Sequence, residues 1–468
     1  MKGSIMKRDI LQKDVLRHIV LDHQQMKTFC ERPLVIEKAK GIFLWDVNGK
    51  RYIDGLSGVY VVNIGHGNEY VLEAMRRQME KVNFVAPLHA VADISVRYAA
   101  RLAQLTPGDL NTIKLLSGGS EATEAAMKFV RQYHKQNGNP SKYKVISCYK
   151  SYHGATLGAM SASGLSGPRR SVFEPLLTGF EHIMPPTCYR CVYEKTYPEC
   201  NSFCARILEE VIKNEGPESV AAFIIEPIGN TGGIVFPPDG YLPVVREICT
   251  RYDVLLIFDE MITGFGRTGE WFAAQTFKTT PDILCMGKGM GGGYVPLAGV
   301  AISDRLYFGA FWGEEEQNIQ FAHGQTYGAN PICAAAGLAC LDVIEKEKLI
   351  ENGCRTGDYL RRRLAKEIGA LGILGDIRGA GCLLGVEFVR DPATKEPFKR
   401  QFGKRVQRRL VEKGLILRCD LDWIAFAPPL ITTETEAEEI VSIFLEAIRE
   451  ELAQAEHEDS LSGATTAP

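Results

Sequence analysis

The chain has 468 residues, is 45% hydrophobic and 24% charged, and carries a formal net charge of −3. That length exceeds what one core usually serves, so two lobes are expected, and no Lys/Arg block is long enough to track a nucleic-acid backbone. The amphipathic start MKGSIMKRDILQKDVLRHIV lacks the apolar run of a secretion signal, and no stretch approaches the roughly 18 uninterrupted apolar residues of a membrane helix. A cytoplasmic location with neither membrane nor nucleic-acid partner is the resulting expectation.

The first 30 or so residues read as a helix. GIFLWDVNGKRYIDGLSG then alternates apolar and polar residues around an Asn-Gly turn, the signature of a hairpin. From Asn63 onward the texture changes. HGNEYVLEAMRRQMEKV and ISVRYAARLAQLTP have helical periodicity, and the short run TIKLLS precedes a long helix opening in GGSEATEAAMKFVRQYHKQ. KVISCY, VAAFIIEP, VLLIFDE and DILCMGKG follow as apolar runs of strand length, with helices such as FCARILEEVIKN and YLPVVREICTRYD between several of them. Runs apolar throughout and flanked by helices predict buried strands of a mostly parallel sheet, hence an α/β fold. AGVAIS is a further strand whose direction cannot be read.

A helix after HGQTYGANPICAAAG links this lobe to a second. There, glycine turns in IGALGILGDIRGAGCLLGVEFVRD, the helix KRVQRRLVEKG, the strand pair in LILRCDLDWIAFAPPLITT and a final helix predict a smaller α+β unit. The expected divisions are 1–62, a segment contributing to the small domain; 63–328, the large domain; 329–456, linker helix and small domain; and 457–468, a tail too polar to order itself.

Thirteen cysteines, an odd number, point to reduced thiols rather than a disulfide scaffold. Cys188, Cys191, Cys200 and Cys204 stand apart, because a pair spaced by two residues followed by a pair spaced by three suits tetrahedral zinc. Ordinary thiols in a surface excursion fit the same spacing and are the preferred reading. Catalysis is expected of neither.

Several predicted strands end in polar or glycine-rich residues. Ligands of open parallel sheets bind outside such ends, which predicts that residues 117–120, Tyr152, His153, Glu226, Asp259 and Lys288 converge. In SGGSEATEAAMK, Gly119 and Ser120 precede a helix, where free amides and a hydroxyl suit a phosphate; a plain capping box would look alike. Asp259 follows five apolar residues and needs a partner, either Arg267 or a protonated ring nitrogen of a ligand. Lys288 is a cation on an apolar strand end, suited either to a phosphate or to a Schiff base formed by a deprotonated amine. Thr326 either binds phosphate or closes a turn, and Arg418 either clamps a substrate carboxylate or makes a structural ion pair.

DEMITGFGRTG, followed 29 residues after Asp259 by Lys288 in GKGMGGGYVPLAGV, together with SGGSEATEAAMK, YHG and HGQTYGANPICAAAG, closely resembles the class III aminotransferases. These are fold-type I pyridoxal 5'-phosphate (PLP) enzymes that include omega-amino acid:pyruvate transaminases, and the resemblance runs from about residue 30 to 450. It implies an aspartate aminotransferase-like large domain with a mostly parallel mixed sheet, and a small domain built from both chain ends. By this resemblance Lys288 is the Schiff-base lysine and proton shuttle, Asp259 pairs with the pyridine nitrogen, and Tyr152 stacks over the ring. Gly119 and Ser120 hold the phosphate, with Thr326 reaching it from the neighbouring subunit of a homodimer; a tetramer is the alternative assembly. Glu226 lies near the cofactor, and Arg418 corresponds to the arginine that swings between accepting and avoiding a carboxylate. Two positions depart from the family pattern: Met261 replaces a valine beneath the ring, and Tyr60 stands where omega-transaminases often carry tryptophan.

The implied reaction passes an amino group from an omega-amino acid, amine or aminosulfonate, with beta-alanine and taurine as candidates, to a 2-oxo acid, with pyruvate favoured over 2-oxoglutarate. The same scaffold also serves aminomutases and decarboxylases, which product analysis separates from transamination. A PLP-binding protein without turnover is disfavoured because every chemically demanding position is filled. A nucleotide-dependent dehydrogenase is disfavoured because SGGSEAT lacks the dinucleotide glycine spacing.

Overall fold

The computed structural model describes residues 16–398 and 401–464. Its centre is a seven-stranded sheet made from β4 (Thr112–Leu116), β5 (Lys144–Cys148), β6 (Phe180–Ile183), β7 (Val220–Ile225), β8 (Leu255–Asp259), β9 (Ile283–Met286) and β10 (Ala298–Ile302). The spatial order is β4-β10-β9-β8-β7-β5-β6. The neighbouring pairs from β9 through β6 are parallel, whereas β10 runs antiparallel to both β4 and β9. β7, β8, β9 and β10 are buried at every residue, as expected of strands apolar throughout and covered on both faces. One core, including Phe223, Leu256 and Leu284, lies on one face, and another, including Ala125, Phe129 and Ile257, lies on the other.

Two smaller sheets use both ends of the chain. The Asn-Gly hairpin joins β2 (Phe43–Asp46) to β3 (Arg51–Asp54), with β1 (Ile36–Lys40) outside β2. Gly49 takes φ +87° in this turn, and Asp46 Oδ1 accepts from the amides of Asn48 and Lys50. β13 (Leu415–Ile416) then adds to β3 in parallel. The other sheet has the order β11-β12-β15-β14, from β11 (Leu374–Ala380), β12 (Leu383–Phe388), β14 (Arg418–Asp420) and β15 (Trp423–Phe426). A third core joins Ile42 and Ile53 to Leu410, Phe426 and Phe444, so the hairpin and the C-terminal segment share one interior.

Some sequence expectations need correction. LILRCD is two strands, not one: the chain leaves the first small sheet at Ile416 and enters the second at Arg418. Of the helix expected over the first 30 residues, positions 1–15 lie outside the described residues, and only Met26–Glu31 forms a helix beyond Leu16. Gln25 caps it by accepting from the Thr28 amide. The final helix, Glu434–Ala464, runs past residue 457, where a disordered tail was expected to begin. Strand β6 went unpredicted because it is a short edge strand of half-polar sequence, FEHI. Among the described residues, no helix is long and apolar enough to cross a membrane.

Candidate active site

Parallel strands leave their carboxyl ends on one rim, and the predicted residues meet there. β8 delivers Asp259, which is 2% exposed. Its Oδ2 accepts from Nδ1 of the equally buried His153 at 2.8 Å, and its Oδ1 accepts from the Met261 amide at 3.2 Å. The predicted protein partner, Arg267, is elsewhere. Also fully buried, it donates through Nη1 to the carbonyls of Cys382 and Pro428, and through Nη2 to Ser57 Oγ and Asn63 Oδ1. His153 was therefore the missed partner. Its position directly after Tyr152 on a strand-end turn was the available signal.

β7 delivers Glu226, whose carboxylate accepts from the Tyr152 amide at 3.0 Å and the Asn230 amide at 3.2 Å. Burial pushes its pKa up to about 7; His153 opposes the rise, Asp259 adds to it, and the two amides oppose it. A folded-state pKa above the unfolded value means that this residue's contribution to stability is complete below about pH 4.5 and is lost as pH rises through 7. In the cofactor-free protein, infrared titration is expected to show a protonated carboxyl disappearing around neutral pH. Glu260, buried and also raised to about 7, contributes a similar signal, so the Glu226 share is the part absent from Glu226→Gln. An identical band in that variant refutes the assignment.

β9 leads to Lys288, which is half-buried and held at φ +48°. A side chain in this left-handed region costs about 1–2 kcal/mol, a strain typical of functional turns. Burial lowers the lysine's pKa, the negative charges of Asp259 and Glu226 oppose that, and Arg418 reinforces it. The amine is thereby placed among the very groups predicted to share its site.

β4 leads to Gly118, the N-cap of helix Gly119–Gln136. The Ser117 amide is taken by Glu121 Oε2 at 3.2 Å, leaving Gly118 to Ser120 as the better phosphate seat. Ser120 Oγ accepts from the Ala155 amide at 2.9 Å, and Thr123 Oγ1 donates to the His153 carbonyl at 2.7 Å, tying this helix start to the Tyr152 turn. Met261 fills the space between two glycines: a Cβ at Gly119 would come 3.2 Å from its Sδ, and one at Gly287 would come 2.5 Å from it. A side chain at either position would have to displace the Met261 thioether.

The chain ends close the site. Tyr60 is fully buried at φ +63°, with its hydroxyl turned toward the Arg418 guanidinium. Burial raises its pKa against the opposing charges of Arg418 and Arg267. Arg418 starts β14, with its guanidinium 5.6 Å from the centre of the Trp423 ring. Tyr152 is half-buried; burial raises its pKa, assisted by Asp22 and Asp259 and opposed by Arg418. Thr326 is exposed in a turn before helix Pro331–Lys346. Cys188, Cys191, Cys200 and Cys204 line one small cavity together with Tyr193, Phe203 and several prolines.

A buried acid engaged by histidine, a lysine among carboxylates, and a glycine-rich helix start together form a site suited to a flat, phosphorylated, cationic ring that reacts with amines. PLP has those attributes, and the residues present fit it. The profile of the class III aminotransferases matches residues 26–448. The chain belongs to that family: it is a PLP-dependent transaminase. A probable aminotransferase of Mycobacterium tuberculosis is 40% identical over 416 residues, spanning 87% of this chain and 88% of that one. The putrescine–pyruvate aminotransferase of Pseudomonas aeruginosa is 34% identical over 412 residues, with 87% and 89% covered. The crystal structure of an (S)-enantioselective omega-transaminase from Thermomicrobium roseum superposes with a TM-score of 0.88 at 37% identity, covering 96% of this chain and 98% of that one.

Proposed function

We propose that this transaminase moves an amino group from an omega-amino acid, an amine or a small aminosulfonate such as taurine to pyruvate, forming alanine. The observation carrying this reading is the placement of Arg418 beside the buried Tyr60 hydroxyl, with which it interacts through charge and hydrogen bonding, while Arg418 also acts on Lys288. A movable guanidinium binds the carboxylate of a 2-oxo acid in a bidentate fork, and the phenol offers a hydrogen bond to a polar donor tail. Kinship with a putrescine–pyruvate enzyme supports both an amine donor and the pyruvate acceptor.

When bound, PLP supplies the electron sink that weakens the C–H bond at the substrate's amine-bearing carbon. Lys288 Nζ takes the proton from that carbon, helped by the burial that lowers its pKa. Asp259, oriented by His153, holds a proton on the ring nitrogen. Gly119 and Ser120 would hold the phosphate, with Tyr152 and Met261 available to pack against the ring, and Glu226 supports the Tyr152 turn by accepting from its amide. Thr326 of a second copy completes the phosphate seat in a homodimer. Support for that assembly comes from the exposed apolar side chains beside Thr326, where Tyr327 meets Phe84 edge to face.

The test is a spectral half-reaction of purified holoenzyme with beta-alanine, 4-aminobutyrate, taurine, putrescine and lysine, reversed by pyruvate or 2-oxoglutarate. Reversal by pyruvate with stoichiometric alanine supports the proposal, and reversal by 2-oxoglutarate alone overturns the acceptor. Arg418→Ala is expected to raise KM for the 2-oxo acid about 100-fold, the loss of a charge-assisted pair, while kcat with an uncharged amine changes little. An unchanged KM removes Arg418 from carboxylate binding.

A further inference from the structure

Strands β14 and β15 are joined through Leu421 and Asp422 alone, and their antiparallel register sets Arg418 opposite Ala425, Cys419 opposite Ile424 and Asp420 opposite Trp423. Alternate residues of a strand share a face, so Arg418, Asp420, Trp423 and Ala425 lie on one side of the hairpin, with Trp423 diagonally across from Arg418. On that side Ala425 and Trp423 pack with Leu56, Tyr60 and Ile234. Asp420, the acid nearest to Arg418 along the strand, is engaged by Arg169 of the large domain at 3.3 Å. Among the described residues Arg418 itself makes no ion pair.

A half-buried cation without an acid needs another source of stabilisation, and the indole provides it. The Arg418 guanidinium lies over the Trp423 ring, 5.6 Å from its centre, while its charge reaches the Tyr60 hydroxyl and Lys288. A carboxylate at that place would occupy the N–H donors and compete with a substrate anion, whereas an aromatic face attracts the charge and leaves the donors free. The indole is itself fixed in place. A Cβ at Gly233 would come 3.1 Å from Trp423 Cγ and Cδ1, and Gly233 has φ +94°. The Gly233 carbonyl accepts from Arg378 Nε at 2.9 Å, and Arg378 Nη1 is in turn paired with Asp376 at 2.9 Å and Glu387 at 2.8 Å.

We propose that Trp423 is a positioning residue for amino transfer, its indole bracing Arg418 in the conformer that faces the carboxylate of the 2-oxo acid. The brace rests on the carboxylate-binding role proposed for Arg418 and acts only through it. Holding the guanidinium in place before the acceptor arrives lowers the ordering cost of binding. An amine donor without a carboxylate makes no use of the clamp, so the brace favours the acceptor half-reaction and gives nothing to such a donor.

The test uses holoenzyme titrated with propionate, an unreactive carboxylate, through the cofactor's absorbance, together with steady-state kinetics for pyruvate and butylamine. Trp423→Leu keeps an apolar side chain against Ile234 and removes the ring. It is expected to raise Kd for propionate and KM for pyruvate about 3- to 10-fold, with kcat/KM for butylamine at or above wild type. Trp423→Ala should match it, and Trp423→Phe should recover most of the loss. In an Arg418→Ala background Trp423→Leu is expected to add nothing. Wild-type Kd and KM in a folded leucine or alanine variant overturn the proposal. A loss shared equally by pyruvate and butylamine marks a merely structural role and overturns it too, as does a loss that persists without Arg418. If Arg418→Ala leaves propionate affinity unchanged, the carboxylate reading fails and the brace with it; a rise there with none in Trp423→Leu removes the brace alone.

Discussion

Lys288→Ala is expected to lower kcat by about 1000-fold or more with every donor and acceptor, because the proposed roles of Lys288 as proton carrier and covalent anchor of the cofactor would be lost together. The lysine is strained in the left-handed region and half-buried among the charges of Asp259, Glu226 and Arg418. Alanine keeps the Cβ and hence the left-handed strain of that turn while removing only the amine and its stem, so the fold should persist. Single-turnover rates with alanine and pyruvate, measured on protein of verified melting midpoint, check the expectation. A folded variant with wild-type turnover would remove Lys288 from the mechanism.

Asp259→Asn is the second large effect, expected at about 100- to 1000-fold in kcat, the range seen when one preorganised electrostatic group is lost. Asparagine keeps the shape and can still accept from His153, yet it cannot hold a positive charge on the ring nitrogen. Alanine is less informative. It leaves the buried His153 Nδ1 unpaired, at about 1–3 kcal/mol, and mixes a stability loss into the kinetics. PLP should remain bound in Asp259→Asn through Lys288 and the helix start at Gly119. If cofactor content falls in proportion to activity, Asp259 serves binding rather than electron withdrawal.

The convergence of Tyr152, Glu226, Asp259 and Lys288 was legible because strand-end chemistry is local. Unbroken apolar runs announced the parallel strands, and the residue after each run is where a ligand meets the sheet. His153 was harder to place, since its partner is a strand away and its neighbour Tyr152 drew the functional reading. Arg267 illustrates the opposite error. Sequence proximity suggested Asp259, whereas its four acceptors lie in residues 57, 63, 382 and 428. The direction of β10 was unreadable because an apolar strand buried on both faces has the same pattern either way. The division of LILRCD between two sheets was equally hidden, for pairing partners are not written in a short apolar run.

Arg267 also ties the two ends of the chain together. A buried guanidinium with half its acceptors missing is costly; two of those acceptors are the carbonyls of Cys382 and Pro428, and the other two are Ser57 and Asn63. Loosening either end leaves the same charge unsatisfied, so the wall that carries Tyr60 stands or falls with the C-terminal lobe.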